Sequence, residues 1–422
     1  MELKKMVPEV RFMGFSGEWE EKRFGETFTP IPNNSLSRAD LNDNSGLVKN
    51  IHYGDILIKY GELLDIGKEK VPYVTDDTIS KKYFPFKLQN GDVIIADAAE
   101  DETVGKCTEL INIKDDVVIS GLHTISVRPV RLFSSMYLGY FMNSSSFHNQ
   151  LLRLMQGTKV LSISKSIIKD TEIFFPAHTT EQSRIGTWFQ HLDQLITLHQ
   201  KKYNKLTNIK KAMLEKMFPK NGADVPEIRF EGFEGKWEEK KLNQVSEIIG
   251  GGTPSTIIPE FWDGDIDWYS PTEIGDKVYV EGSVKKITAL GLENSSAKIL
   301  PANKTVLFTS RAGIGDMAIL RKDGATNQGF QSFVIKEDND PYFVYSKGHL
   351  IKDYALKHAS GSTFLEISGK QLGNMNLSIP SAEEQQKIGT YFQNLDQLIT
   401  LQQTQIEKLK NIKKACLEKM FV

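Results

Sequence analysis

The sequence carries nearly the same 38-residue stretch twice. Residues 181–218 read EQSRIGTWFQHLDQLITLHQKKYNKLTNIKKAMLEKMF, and residues 384–421 read EQQKIGTYFQNLDQLITLQQTQIEKLKNIKKACLEKMF. At a constant offset of 203, 27 of the 38 positions are identical. A duplication of this length constrains the fold more than any local pattern does, because both copies must fill equivalent places in one repeated plan.

Each copy reads as a single long helix. Apolar residues fall at Ile185, Phe189, Leu192, Ile196, Tyr203, Leu206, Ile209, Met213 and Met217, and again at Ile388, Phe392, Leu395, Ile399, Ile406, Leu409, Ile412, Cys416 and Met420. Steps of three and four with Lys, Gln and Asn between them describe a coiled-coil seam. His199 and Gln402 interrupt it at equivalent positions near the helix midpoints. Antiparallel pairing would bring these two polar residues together and fix the register. Thr179-x-x-Gln182 and Ser381-x-x-Glu384 read as capping boxes just after Pro176 and Pro380. Phe218-Pro219 followed by Asn221-Gly222 is chemistry that ends a helix. At about 1.5 Å per residue each helix runs on the order of 55 Å, longer than an ordinary core helix needs.

A second duplication opens each half. Residues 7–22 (VPEVRFMGFSGEWEEK) and 225–240 (VPEIRFEGFEGKWEEK) share 12 of 16 positions. Between the repeats the halves diverge, so fixed joints surround variable inserts, as expected if the inserts bind different things. The sequence divides into a first mixed domain (1–180), a helix (181–218), a linker (219–224), a second mixed domain (225–383) and a second helix (384–422). The expected class is α+β: two mixed α/β domains joined by two long helices in an antiparallel coiled coil, with a pseudo-twofold internal repeat. Short strand-like runs recur within the inserts, and pieces of them look related. Residues 88–96 (LQNGDVIIA) resemble 300–309 (LPANKTVLFT), and 120–127 (SGLHTISV) parallel 328–335 (QGFQSFVI). Gly157-Thr158 and Gly361-Ser362 then precede Ile163-Ser164 and Ile367-Ser368.

Composition adds limits. The chain is 40% hydrophobic and 25% charged with a net charge of −2, ordinary for a globular protein. No apolar run approaches the roughly 18 residues of a membrane span, and MELKKMVPEV lacks a signal-peptide core, so the expected compartment is the cytoplasm. Cys107 and Cys416 stand far apart in unlike contexts, and the eight histidines show no ligand spacing. Phe230-x-Gly232-x-x-Gly235 lacks the strand–helix context of a dinucleotide loop and reads as a surface turn over Trp237. Pro8-Glu9 with Glu20-x-Lys22, repeated at Pro226-Glu227 with Glu238-x-Lys240, only loosely mimics a metal-nuclease spacing. Asp263-x-Asp265-x-Asp267 starts like a calcium loop but has Trp268 where glycine is required. Gly250–Thr253 lacks the GK[ST] ending of a phosphate loop. None of these builds a catalytic centre.

Taken in order, VPEIRFEGFEGKWEE, GGTPST, FWDGDIDWYS, LFTSRAGIG, ATNQGF and EEQQKIGTYFQNLDQLI, with GDVIIADAAED and SGLHTISVRP in the first half, form a specific set. By that set the chain resembles the specificity subunit of a Type I restriction-modification enzyme, and the resemblance covers essentially its whole length. It implies two target recognition domains, each reading half of a split duplex DNA site, spaced by helices that dock two methyltransferase subunits. Motor and nuclease subunits would join through these, and phage DNA mimics are further implied partners. It implies a chain that is itself non-catalytic, with S-adenosylmethionine, ATP and magnesium used by the other subunits. It also implies a bacterial, nucleoid-associated location. The first half lacks an evident GGTPST counterpart and has KNIHYGDILIKYGELLDIGKEK instead. Base reading needs Arg, Asn, Gln, Ser and Thr in turns. The candidates are Ser270, Thr272, Ser310, Arg311, Asn327, Gln328 and Gln331 in the second insert, and Lys59, Tyr60, Ser120 and His123 in the first. Arg153, Lys159 and Lys165 are candidate phosphate contacts. Two other readings stay open: a carbohydrate-binding or scaffold protein, suggested by FWDGDIDWY, and a stand-alone DNA enzyme.

Overall fold

The computed structural model describes residues 6–220, 222–275, 277–311, 313–361 and 365–422. Asn221, Ser362 and Ala312 of LFTSRAGIG, noted above, lie outside them. The chain forms two compact units. One comprises the residues up to His199 together with Gln405–Val422, and the other comprises Gln200–Thr404.

Each unit is built on a five-stranded mixed sheet with the same order. In the first unit it runs Phe28–Ile31, Thr124–Pro129, Val93–Ala96, Cys107–Ile111, Leu63–Asp65. In the second it runs Ser246–Gly250, Gln331–Ile335, Thr305–Phe308, Met317–Leu320, Tyr279–Val280. In both, only the last pairing is parallel. A smaller sheet joins Lys49–Ile51 in parallel to Val118–Ser120, as it joins Trp262–Tyr269 to Gly324–Thr326. The inserts therefore share a fold.

The register corrects one expectation. Val127 pairs with Val93, and Phe333 pairs with Val306. Residues 120–127 thus correspond to 326–333, two residues from the match read in sequence. Side chains alternate across a strand with period two, so a two-residue slip keeps the hydrophobic pattern intact and escapes detection.

The long helices span Thr179–Lys216 and Ala382–Lys419. Each starts and stops two residues before the 181–218 and 384–421 repeats. The reason is at the far end, where Met217-Phe218 and Met420-Phe421 leave the helix to enter a core. Phe421 stacks on Phe189 at 5.7 Å and meets Trp19, Tyr137 and Phe141 in the first unit. Phe218 stacks on Phe392 at 5.9 Å and meets Trp237 and Phe343 in the second. The tail of each helix thus closes the unit in which the other helix begins.

Within each unit the two helix segments run antiparallel. Asp193 takes Lys413 at 2.6 Å and the Tyr140 hydroxyl at 2.7 Å. Asp396 takes Lys210 at 2.5 Å and the Tyr342 hydroxyl at 2.7 Å. Seam residues Ile185, Phe189, Leu192, Ile388, Phe392, Leu395 and Ile406 are buried. The capping boxes form differently from expectation. Thr179 is already helical, and Gln182 instead donates to the Pro176 carbonyl and accepts from Ser134 N–H. Ser381 Oγ does accept from Glu384 N–H, but the Glu384 carboxylate turns to Arg229. That pair (2.8 and 2.8 Å) matches Arg11 with Glu181 (2.7 and 2.8 Å), so each opening segment is bolted to the start of its helix.

Candidate nucleic-acid interface

At one end of each five-stranded sheet, several loops are tied together by four backbone hydrogen bonds that recur in both units. Asn34 N–H donates to Ser120 O as Gly252 N–H does to Thr326 O. Gly121 N–H donates to Ile51 O as Asn327 N–H does to Tyr269 O. Asp97 N–H donates to His123 O as Ser310 N–H does to Gly329 O. Ile163 N–H donates to Asp97 O as Ile367 N–H does to Ser310 O. All lie between 2.8 and 3.1 Å. Such bonds fix the backbone and leave the side chains free to differ.

This frame supplies the missing GGTPST counterpart: it is Asn33-Asn34-Ser35, with Asn34 standing where Gly252 stands. A Cβ at Gly251 would overlap the Thr326 and Asn327 carbonyls, and one at Gly252 would overlap Ser296. The Trp268 indole N–H donates to the Gly252 carbonyl at 2.8 Å. In the first unit Asn34 instead uses its carboxamide, donating to Asn50 Oδ1 and Ser120 O at 2.7 Å each.

All seven candidates of the second insert fall on this frame. Ser270 caps the short turn Pro271–Glu273, with its amide and hydroxyl both donating to Glu273 at 2.7 Å. Thr272 is exposed beside it. Arg311 lies 3.8 Å from Glu366, which belongs to the neighbouring strand bridge. Gln328 accepts from the Thr253 hydroxyl, and Asn327 and Gln331 flank it. Ser310, however, is wholly buried with no partner for its hydroxyl among the described residues, so it sits beneath the surface rather than on it.

The first unit is less uniform. His123 is about half exposed at φ +53°, with Nδ1 3.2 Å from Asp97 and its ring edge-on to Tyr53. Lys165 donates to Asn33 Oδ1 at 3.2 Å. Lys159 is exposed on the hairpin loop between the bridged Gln156 and Ser162. Arg153, exposed, ends the helix Ser145–Leu152. Lys59 pairs with buried Asp55 at 3.0 Å. Burial alone would raise the Asp55 pKa, but Arg38 and Lys59 together hold it low. Tyr60 and Ser120 are buried: the Tyr60 hydroxyl donates to Lys70 O, and Ser120 bonds Thr124 and Ser126. As with Ser310, their place is in support of the surface. Asn33, His52, Asp97 and Thr253 also lie on the frame; the last three fall in segments quoted above, KNIHYGDILI, GDVIIADAAED and GGTPST, but are not among the candidate contacts.

FWDGDIDWY does not form an aromatic platform for sugars. It is the strand Trp262–Tyr269 after a short turn, with Trp268 and Tyr269 buried and Trp262 packed edge-on against Trp268. Among the described residues no helix is long and apolar enough to cross a membrane.

Two loop frames of one design, with different side chains on each, define a protein that presents two related but unlike recognition surfaces. A family model described as "Type I restriction modification DNA specificity domain" matches residues 17–208 and again 234–411. The chain belongs to that family. It is 35% identical over 190 residues to the Type I restriction enzyme MjaIX specificity subunit of Methanocaldococcus jannaschii, covering 44% of each chain. It is 31% identical over 174 residues to the EcoR124I/EcoR124II specificity subunit of Escherichia coli, covering 39% of this chain and 42% of that one. These matches span less than half of either relative. The putative MjaX specificity subunit, at 22% identity, aligns over 98% of this chain and 90% of its own. The fold is that of the crystallised S subunit of a Type I restriction-modification system from M. genitalium, with a TM-score of 0.64, 13% identity and 99% of both chains covered.

Proposed function

We propose that this chain is the DNA-specificity subunit of a Type I restriction-modification complex. Each unit reads one half of a bipartite duplex site, and the helices set the gap and carry two methyltransferase subunits. The observation that carries this reading is the loop frame: identical backbone bonds in both units, filled with different polar side chains. That is what two readers of unlike half-sites require, since backbone positioning and base readout are separate tasks. The chain itself supplies recognition. S-adenosylmethionine, ATP and magnesium serve the partner subunits, and the complex acts in the cytoplasm on the nucleoid.

Matching apolar stripes on the helices support methyltransferase docking. Trp188, Leu195 and Leu198 are 40 to 47% exposed on the first helix. Tyr391, Leu398 and Leu401 repeat them on the second, the two leucines at 45% and 49%. Exposed apolar stripes of this kind mark partner surfaces. His199 and Gln402 would meet in the seam; a disulfide between cysteines placed at 199 and 402, with specificity retained, is the expected outcome.

The test of the function is methylation-site mapping by the chain assembled with its modification subunits. The reading predicts a single split motif, and no methylation from the purified chain alone. Methylation without sequence preference, or turnover by the isolated chain, contradicts it.

A further inference from the structure

The two loop frames place different polar groups at one equivalent spot. In the second unit that spot is Ser310, with its hydroxyl buried, and the residue facing it across the frame is Gly329, which has no side chain. Beside it Arg311, a donor, lies 3.8 Å from the more exposed carboxylate of Glu366, an acceptor. In the first unit the same two places hold Asp97 and His123. The Asp97 side chain is 23% exposed, and its Oδ1 faces His123 Nδ1 at 3.2 Å. Among the described residues no hydrogen bond engages its Oδ2. Tyr53 packs edge-on against His123, and the Lys165 ammonium favours the charged form of Asp97.

A carboxylate offers only acceptors, and the major-groove edges that offer a donor are the amino groups of cytosine and adenine. Guanine and thymine place a carbonyl oxygen there and would set oxygen against oxygen. We infer that Asp97, oriented by His123, reads an amino-bearing base, cytosine or adenine, in the first half-site, whereas the second unit has no carboxylate at the equivalent residue, Ser310. The inference rests on the specificity-subunit reading and sharpens it by assigning a polarity to one position of the first half.

Asp97→Asn keeps the size of the side chain and an acceptor for His123 while adding a donor. Asp97→Ser puts the second unit's residue in the same frame. Methylation sites are mapped for the wild-type complex and both variants. The expected result is a first half-site with cytosine or adenine at one position, where discrimination falls roughly ten-fold or more in both variants. Every other position, including the whole second half, stays as in the wild type. An unchanged motif, or changes spread over both halves, overturns the inference. Should a variant complex cease to methylate, competition binding of wild-type and Asp97→Asn complexes to duplexes carrying each of the four bases at that position gives the same readout. A wild-type complex with no split motif at all would instead sink the functional reading itself.

Discussion

Against the same five-stranded sheet, the first unit buries an acid and the second a base. Glu109 lies on the strand Cys107–Ile111 and accepts the N–H groups of Met136 and Gly139, at the start of the helix Tyr137–Met142. Burial pushes its carboxyl up to about 7, against those stabilising amides. In the second unit the equivalent helix, Pro341–Ser346, is capped by its own Asp340, which accepts from Phe343 N–H at 2.7 Å. Just beyond it is Lys347, 2% exposed, with Nζ 4.8 to 5.3 Å from the rings of Phe218, Trp237 and Phe343. Burial lowers this ammonium to about 7. The contrast separates what the repeat fixes from what it leaves open. Sheet order, loop frame and helix-tail insertion are kept, while the polar filling behind them changes even in sign.

The comparison breaks hardest at the helix tails. Phe421→Ala should cost about 3–5 kcal/mol in the first unit, whose sequence begins some 400 residues earlier, and leave the second nearly untouched. Phe218→Ala should do the reverse. Hydrogen exchange resolved by unit reads both. Loss of protection in the unit that contains the rest of the mutated helix would show that the tails are not crossed.

Smaller effects sharpen the acid–base contrast. Lys347→Met should stabilise the second unit by roughly 1–3 kcal/mol near pH 7, because it removes a desolvated cation. In the wild type, Lys347 titrates lower in the folded state than in the unfolded one, so the unfolded state holds more protons between about 7 and the ordinary lysine value of 10.5. The Lys347 contribution to stability therefore rises with pH across that window. Glu109 titrates higher when folded, so its contribution is greatest below 4.5 and is lost as pH rises to about 7. Thermal melts against pH should show both slopes. Each should vanish in its own variant, Lys347→Met or Glu109→Gln, and survive in the other.

The smallest stability effect is expected on the loop frame. Arg311→Ala should shift the melting of the second unit by no more than about 0.5 kcal/mol. It should still relax one position of the second half-site by roughly 1–3 kcal/mol of discrimination. Equal weakening at every position would make Arg311 a phosphate contact instead.

The helices were legible because duplication and a three–four apolar rhythm are both written in the primary structure. The candidates Thr272, Arg311, Asn327, Gln328 and Gln331 were placeable because turn residues with polar ends sit in order along the second insert. The frame that gathers them was not legible, since backbone N–H and C=O groups hold it and Asn34 can stand in for Gly252. Burial of Tyr60, Ser120 and Ser310 was equally hidden: polar side chains that point inward look the same in sequence as those that point out. The crossing of Phe218 and Phe421 is a long-range contact, and no local pattern reports it.

The central claim is that two separately filled frames read two separate half-sites. Replacing the second insert, about Lys241 to Pro380, with that of a relative, and mapping methylation by the assembled complex, tests it most directly. The account predicts that one half of the motif is rewritten while the other half is retained base for base. A motif rewritten in both halves would contradict it, because the inserts would then form a single joint reading surface.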